Sequence, residues 1–154
     1  MAKSPAQCSI CLRFDVKFGK GKTGWCNSCS KNSWNLSNPV KVRAQRLWGN
    51  AHKRAKSMGW PEPDFGSTWI YEKIMAGHCE ATGIKFDTES VVSESVHAKN
   101  PWVPSIDRID SSKPYLKDNV QIVVYMYNVC KSEFKHEDVL LFCKAVYQKE
   151  MEIA

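Results

Sequence analysis

Between Pro39 and Gly59 the apolar residues Ala44, Leu47, Trp48, Ala51, Ala55 and Met58 recur at three- and four-residue spacing. That period predicts a helix with one inward stripe. Asn38 suits its N-cap, Pro39 its first position and Gly59 the residue past its end. Pro61 and Pro63 then bar any continuation. A second helix is expected from Ser67 or Thr68 to about Ala76, closed by Gly77, with Trp69, Ile70 and Ile74 inward. Residues 79–84 read as a tight turn into a short strand at 84–86, and residues 87–101 as a surface loop. Residues 105–109 and 120–124 are strand-like and flank a polar loop carrying Lys113-Pro114 and Asp118-Asn119. A helical segment bearing Asn128 and Lys131 follows. A last helix, at about 135–150, places Val139, Phe142, Cys143, Val146 and Tyr147 on one face, which is expected to pack in the core. The pattern as a whole is α+β.

The cysteines change the picture at the front. Cys8-x-x-Cys11 and Cys26-x-x-Cys29 are separated by fourteen residues. Two such knuckles let four thiolates converge on one ion in the tetrahedral shell that zinc favours. A segment this short buries too little surface to fold alone, so a structural zinc is expected to hold it together. A thioredoxin-like redox role would need a βαβ pattern that neither knuckle has. Cys79, Cys130 and Cys143 lack partners at this spacing and are expected as buried thiols, which gives one zinc per chain. The expected organisation is a zinc module over 1–35, a basic helical segment over 36–76 and a third part over 77–154.

Charge is divided as sharply as composition. Residues 1–60 carry twelve Lys or Arg against the single acid Asp15, whereas residues 61–154 carry ten against fifteen acids. A basic front joined to an acidic remainder suggests a polyanion-binding part and a part with other work. On the 39–58 helix, Arg43, Arg46, Asn50, Lys53 and Arg54 fall away from the apolar stripe. They suit phosphate contacts, although a plain solvated face carries the same pattern. No run approaches the roughly 18 to 20 apolar residues of a membrane span, and residues 1–5 begin no signal-peptide core. A cytoplasmic chain with no membrane partner is the expectation.

The stretch with the most chemistry runs from Pro104 to Ser132. A hairpin followed by a helix would bring Asp107 near Asn128, and two oxygen donors with open positions suit a hydrated hard ion such as Mg2+. The same residues also serve ordinary turns and caps in a hairpin packed on a helix.

In this stretch the chain resembles the HNH, or ββα-metal, endonuclease family. Asp107 falls at the first-strand metal ligand, Asn119 at the loop Asn, Asn128 at the helix ligand, and Lys131-Ser132 at the end of the motif. The frame is similar to zinc-bearing members of the PacI type, and more so to phage and bacterial members with a Cys-x-x-Thr-Gly turn and a Ser-Leu-Asp-Arg-Ile-Asp strand. The resemblance is specific over residues 77–132 and looser over 8–76. It implies a DNA endonuclease dependent on Mg2+ or Mn2+, with Asp107, Arg108, Asn119 and Asn128 at the reaction centre. Arg43, Arg46, Lys53, Arg54 and Lys131 would contact DNA, and a homodimer is one way to a double-strand cut. A phage source and a host-cytoplasm location follow from the resemblance alone.

The departure is Arg108, which stands where most members carry a His general base. A guanidinium does not deprotonate water at neutral pH, but it can clamp a phosphate. Water activated on the ion, His97, Asp110 and Tyr127 are the alternatives for the base. Two function classes therefore stand side by side. One is a metal-dependent nuclease; the other is an HNH-fold protein that has lost its base and binds nucleic acid as a regulator or inhibitor.

Overall fold

The computed structural model describes residues 7, 9–10, 12–13, 16–18, 24–89 and 100–153, and the chain divides into two compact units, Met1–Pro39 and Val40–Ala154. In the first unit, Phe18 and Cys26 form an antiparallel bridge ahead of helix α1 (Asn27–Ser37). The sequence pattern does not announce α1, which buries no side chain and has only Trp34 and Leu36 among its polar residues. Its Ser and Asn side chains are weak helix formers because they compete for backbone bonds. The local ends compensate: the Cys26 Sγ accepts from the Cys29 N–H at 3.5 Å, and the Asn38 Nδ2 donates to the Trp34 carbonyl at 2.9 Å. Asn38 therefore closes α1 rather than serving as the expected N-cap of the following helix.

In the second unit, α2 (Pro39–Ser57) buries Val42, Arg43, Ala44, Leu47, Ala51 and Ala55. Its end is a Schellman turn: the Trp60 N–H reaches Ala55 O at 2.9 Å and the Gly59 N–H reaches Lys56 O at 3.2 Å. Gly59 sits at φ +67°, a conformation that favours glycine. Trp48 and Met58, expected in the buried stripe, are exposed, because the stripe narrows to alanines where α2 meets its neighbours. Helix α3 (Ser67–Met75) buries Ile70 and Ile74. After it, the Cys79 N–H bonds Ile84 O and the Gly83 N–H bonds Cys79 O, each at 2.8 Å, closing the expected turn. Instead of the strand expected at 84–86 there is an isolated His78–Lys85 bridge.

Strands β1 (Pro104–Arg108) and β2 (Val120–Val124) pair antiparallel with Ile106 opposite Ile122 and Asp107 opposite Gln121. A single 3-10 turn, Lys117–Asn119, leads into β2. Both strands are buried along nearly their whole length; β2 reads as an apolar run broken only by Gln121, whereas β1 buries the polar Ser105 and Asp107 with Ile106. Helix α4 (Tyr125–Lys131) leaves β2 directly, and α5 (His136–Ile153) follows. Ile70, Ile74, Ile106, Ile122, Val123 and Leu47 belong to one core that α2 and α3 share with the hairpin. The segment expected at 36–76 thus has no core of its own.

Helix α5 departs most from expectation. Val139 alone among its residues is buried, while Phe142, Val146 and Tyr147 are 62%, 49% and 65% exposed. The core closes at the first turn of α5, and the helix runs on beyond it. Cys79 is buried as expected, but Cys130 and Cys143 are exposed thiols. Helix α4 has seven residues and points Tyr127 and Lys131 inward, which turns Cys130 outward. Among the described residues no helix is long and apolar enough to cross a membrane.

Candidate functional site

The site is built where the hairpin meets α4. Asp107, on a buried strand, directs its carboxylate at two side chains. Gln121, its cross-strand partner, donates from Nε2 to Oδ2 at 2.9 Å, and Lys131 Nζ lies 3.3 Å from Oδ1. Burial pushes the Asp107 carboxyl above the usual carboxylate range, while the Gln121 bond and the Lys131 charge pull it back. Lys131 is itself 1% exposed and also donates to the Arg108 carbonyl at 2.8 Å and to Ser111 Oγ at 3.3 Å. The expectation that Lys131 contacts nucleic acid is corrected on that account: its ammonium is turned inward against a buried carboxylate.

Asn128, half-buried on α4, reaches back to β1. Its Nδ2 donates to Ser105 Oγ at 2.7 Å and to the Ile106 carbonyl at 3.0 Å. With both donors committed, its amide oxygen has no protein partner among the described residues. Asn119 pins the loop from inside. Its Oδ1 accepts from the Asp110 N–H at 2.9 Å, and its Nδ2 donates to the Asp110 and Pro114 carbonyls, each at 3.0 Å. One amide thereby satisfies three backbone groups and holds β1 and β2 in register around the loop.

Asp107 and Asn128 line one cavity of about 760 Å³ together with Arg54, Trp60, Arg108 and Tyr115. Arg108 is held against its wall. Its guanidinium carbon lies 4.8 Å from the centre of the Trp60 ring and 5.0 Å from that of Tyr115, and Nη1 donates to the Lys113 carbonyl at 3.2 Å. Cation–π contacts of this kind hold a guanidinium without using up its five donors. Arg54 Nη1 contacts the Tyr115 hydroxyl at 3.3 Å, which puts a second guanidinium on the same wall. A cavity with two guanidiniums beside a carboxylate and an amide oxygen can hold a phosphate on one side and a hard cation on the other.

The remaining expected residues are dispersed. Arg43 lies in the interior, not on an outward face: its Nε donates to the Pro104 carbonyl at 2.7 Å, and burial lowers its pKa to about 10 with help from the neighbouring Arg46 charge. The expectation that it meets DNA is corrected, because tying α2 to the start of β1 occupies it. Lys53 is exposed on α2 and Arg46 is half-buried. Cys26 and Cys29 come together at the first turn of α1; Cys8 and Cys11 lie outside the described residues, as does His97. Of the alternative bases, Asp110 has its pKa lowered to about 2 by bonds from the Ser112 hydroxyl and N–H and from Lys113. Burial pushes the Tyr127 hydroxyl up, and the Asp107 charge adds to this. Neither is poised to take a proton near pH 7.

Sequence reasoning missed Gln121, Ser105, Trp60 and Tyr115 as site residues. Gln121 had a signal, being the one polar residue in the apolar run 120–124 and standing directly across from Asp107. Trp60 had none, because the fold and not the sequence brings it over Arg108.

No family model and no curated protein match the chain. Among solved structures, it is similar to the rare-cutting HNH restriction endonuclease PacI, with 21% identity over 94% of each chain and a TM-score of 0.41. At that score the two backbones agree too loosely for a function to pass from one to the other.

Proposed function

We propose that this chain is a metal-dependent DNA endonuclease of the HNH, ββα-metal type, hydrolysing phosphodiester bonds with Mg2+ or Mn2+. The observation that supports it most is that Asp107 of β1, Asn128 of α4 and the ring-braced Arg108 line one cavity. The donor set suits a hard cation sparingly. Asp107 is a desolvated carboxylate and Asn128 has an uncommitted amide oxygen. No cluster of three His, Cys, Asp or Glu suited to a metal occurs among the described residues. An ion held by two protein oxygens keeps most of its waters, as Mg2+ commonly does. When bound, it supplies charge neutralisation at the phosphate and at the leaving oxygen.

The chain's own residues do the rest. Arg108 and Arg54 orient the phosphate against the aromatic wall, and Asn119 keeps the loop after β1 in place. Lys131 holds the Asp107 carboxylate without reaching the substrate. In the first unit, Cys8, Cys11, Cys26 and Cys29 would bind one structural zinc; convergence of Cys26 and Cys29 at the start of α1 supports this reading.

Plasmid cleavage in Mg2+, Mn2+ and EDTA tests the proposal, with Asp107→Ala and Asn128→Ala alongside. Metal-dependent nicked or linear product is expected, and both variants should lose it while still binding DNA. Undiminished cleavage by Asp107→Ala would sink the assignment. The second reading, a nucleic-acid-binding protein without hydrolysis, is favoured by one observation: no histidine among the described residues lines the cavity. Intact plasmid in every metal, with salt-sensitive gel retardation, would establish it.

A further inference from the structure

Hydrolysis of a phosphodiester needs a group that takes a proton from the attacking water, and a guanidinium such as that of Arg108 has no acceptor to offer. Among the described residues, the wall that holds Asp107 and Asn128 carries one further carboxylate, that of Glu133. Glu133 is exposed and has no hydrogen-bond or ion-pair partner among the described residues. The other candidates are engaged or misplaced. Asp107 is gripped by Gln121 and Lys131. Asp110 is taken up by Ser112 and Lys113, and neither it nor Tyr127 lines the cavity. Tyr115 and Tyr125 do line it, but a phenol must lose its own proton before it can take another.

An unusual turn brings Glu133 to the wall. Helix α4 ends at Lys131, whose ammonium is drawn inward to Asp107, and the chain then reverses over Lys131–Phe134. The Phe134 N–H closes the turn on the Lys131 carbonyl at 2.8 Å. Its first central residue, Ser132, lies at φ +47° and ψ −116°. Positive φ at that position is the habit of Gly, Asn and Asp, and other residues hold it only where their surroundings over-determine it. Here they do. The Ser132 N–H bonds the Asn128 carbonyl at 2.9 Å, and the Ser132 carbonyl accepts from Ser111 Oγ at 3.2 Å. The turn is thus fastened to Asn128 on one side and to the loop after β1 on the other, and strain of this kind gathers at functional sites.

We propose that Glu133, held at the cavity by the strained turn after α4, is the general base that takes the proton from the water attacking phosphorus. This role rests on the nuclease reading above and supplies the proton acceptor that reading lacks. One proton of the water passes to Glu133 while the water oxygen bonds phosphorus. The bond from phosphorus to one sugar oxygen breaks, and its electron pair goes to that oxygen. The sugar oxygen takes up a proton from solvent, and Glu133 returns its own to solvent. Arg54 and Arg108 hold the phosphate meanwhile, from the same wall.

The test is single-turnover plasmid cleavage by the full chain and by Glu133→Gln, Glu133→Ala and Glu137→Gln, with Mn2+ titration and gel retardation in parallel. A positioned base contributes about 100- to 10,000-fold. Glu133→Gln is expected to lose cleavage by that factor while its Mn2+ and DNA affinities stay at the wild-type values. Added formate should return part of the rate to Glu133→Ala, by placing a carboxylate in the space left. Glu137→Gln removes the same charge from a residue of α5 that does not line the cavity, and should cleave as wild type. Cleavage by Glu133→Gln within about tenfold of wild type, short of what a positioned base supplies, would overturn the proposal. So would a loss matched by weaker Mn2+ or DNA binding, an equal loss in Glu137→Gln, or a Glu133→Ala rate that formate leaves flat. Cleavage lost in Asp107→Ala but kept in Glu133→Gln would refute the base alone. Wild-type protein that cleaves in no metal would refute the nuclease reading itself and the base with it.

Discussion

Replacing Lys131 by Met should cost more stability than any other single change at the site. The Lys131 and Asp107 side chains are 1% and 2% exposed, and their N–O distance is 3.3 Å. Methionine fills nearly the same volume, so the loss is electrostatic and not a cavity. Removing one partner of a buried pair leaves an uncompensated charge, which costs about 3 to 5 kcal/mol. A stable domain has only about 5 to 15 kcal/mol in hand. The cost should depend on pH with a definite sign. Burial already raises the Asp107 pKa above its unfolded value, so the folded state binds the extra proton and stability falls as pH rises through the folded pKa. Without Lys131 that pKa climbs further. The variant should therefore be weakest at pH 7 to 8 and recover as pH is lowered toward the unfolded carboxylate value near 4. Urea unfolding by circular dichroism at pH 7.5 and 5 measures both effects. Asp107→Asn in the Lys131→Met background should restore most of the loss, because the orphaned charge is gone. A single variant within about 1 kcal/mol of wild type, below the range for a broken buried pair, would refute the reasoning, as would a double variant no better than the single.

Other expectations follow from neighbouring geometry. Asn119→Ala leaves the Asp110 N–H and two carbonyls short of a partner, and should destabilise the chain by about 1 to 3 kcal/mol in urea unfolding. Arg108→Lys should weaken DNA binding nearly as much as Arg108→Ala in gel retardation, because an ammonium cannot replace the planar, forked guanidinium held against Trp60 and Tyr115. Asp110→Asn should leave the pH profile of plasmid cleavage unchanged between pH 6 and 8, since the Asp110 pKa of about 2 keeps it ionised and a poor base there. Arg43→Met should lower stability without changing DNA affinity at low salt, as measured by thermal unfolding and gel retardation, because its guanidinium is buried against the Pro104 carbonyl.

Much of the second unit was legible in the sequence, for identifiable reasons. The run 120–124 is apolar in four of five positions and is β2 to the residue, and Gly59 and Gly77 end α2 and α3 at positive φ. The juxtaposition of Asp107 and Asn128 followed from chain order, because a hairpin leading straight into a helix leaves few other placements. Three things were hidden. Helix α1 has no apolar period, so caps and not packing define it. The sides that Arg43 and Lys131 face depend on interior carbonyls and a carboxylate waiting for them, and a helical wheel contains neither. The apolar face of α5 has the same periodicity as a core helix, and periodicity does not count how much partner surface exists.

The inward turn of Arg43 and Lys131 bears on how this chain would respond to salt. On duplex DNA each phosphate neutralised by a cation releases counterions, and the log–log slope of affinity against salt steepens by about 0.9 per contact. The sequence offers five cations toward that slope, Arg43, Arg46, Lys53, Arg54 and Lys131. Two of them balance or tether the interior instead, so Arg46, Lys53 and Arg54 remain from that set, joined by Arg108. Affinity carried by those residues would fade more gently with rising salt than the net charge of +6 suggests. A basic residue on a helix thus counts toward polyanion binding only after the interior has taken its share.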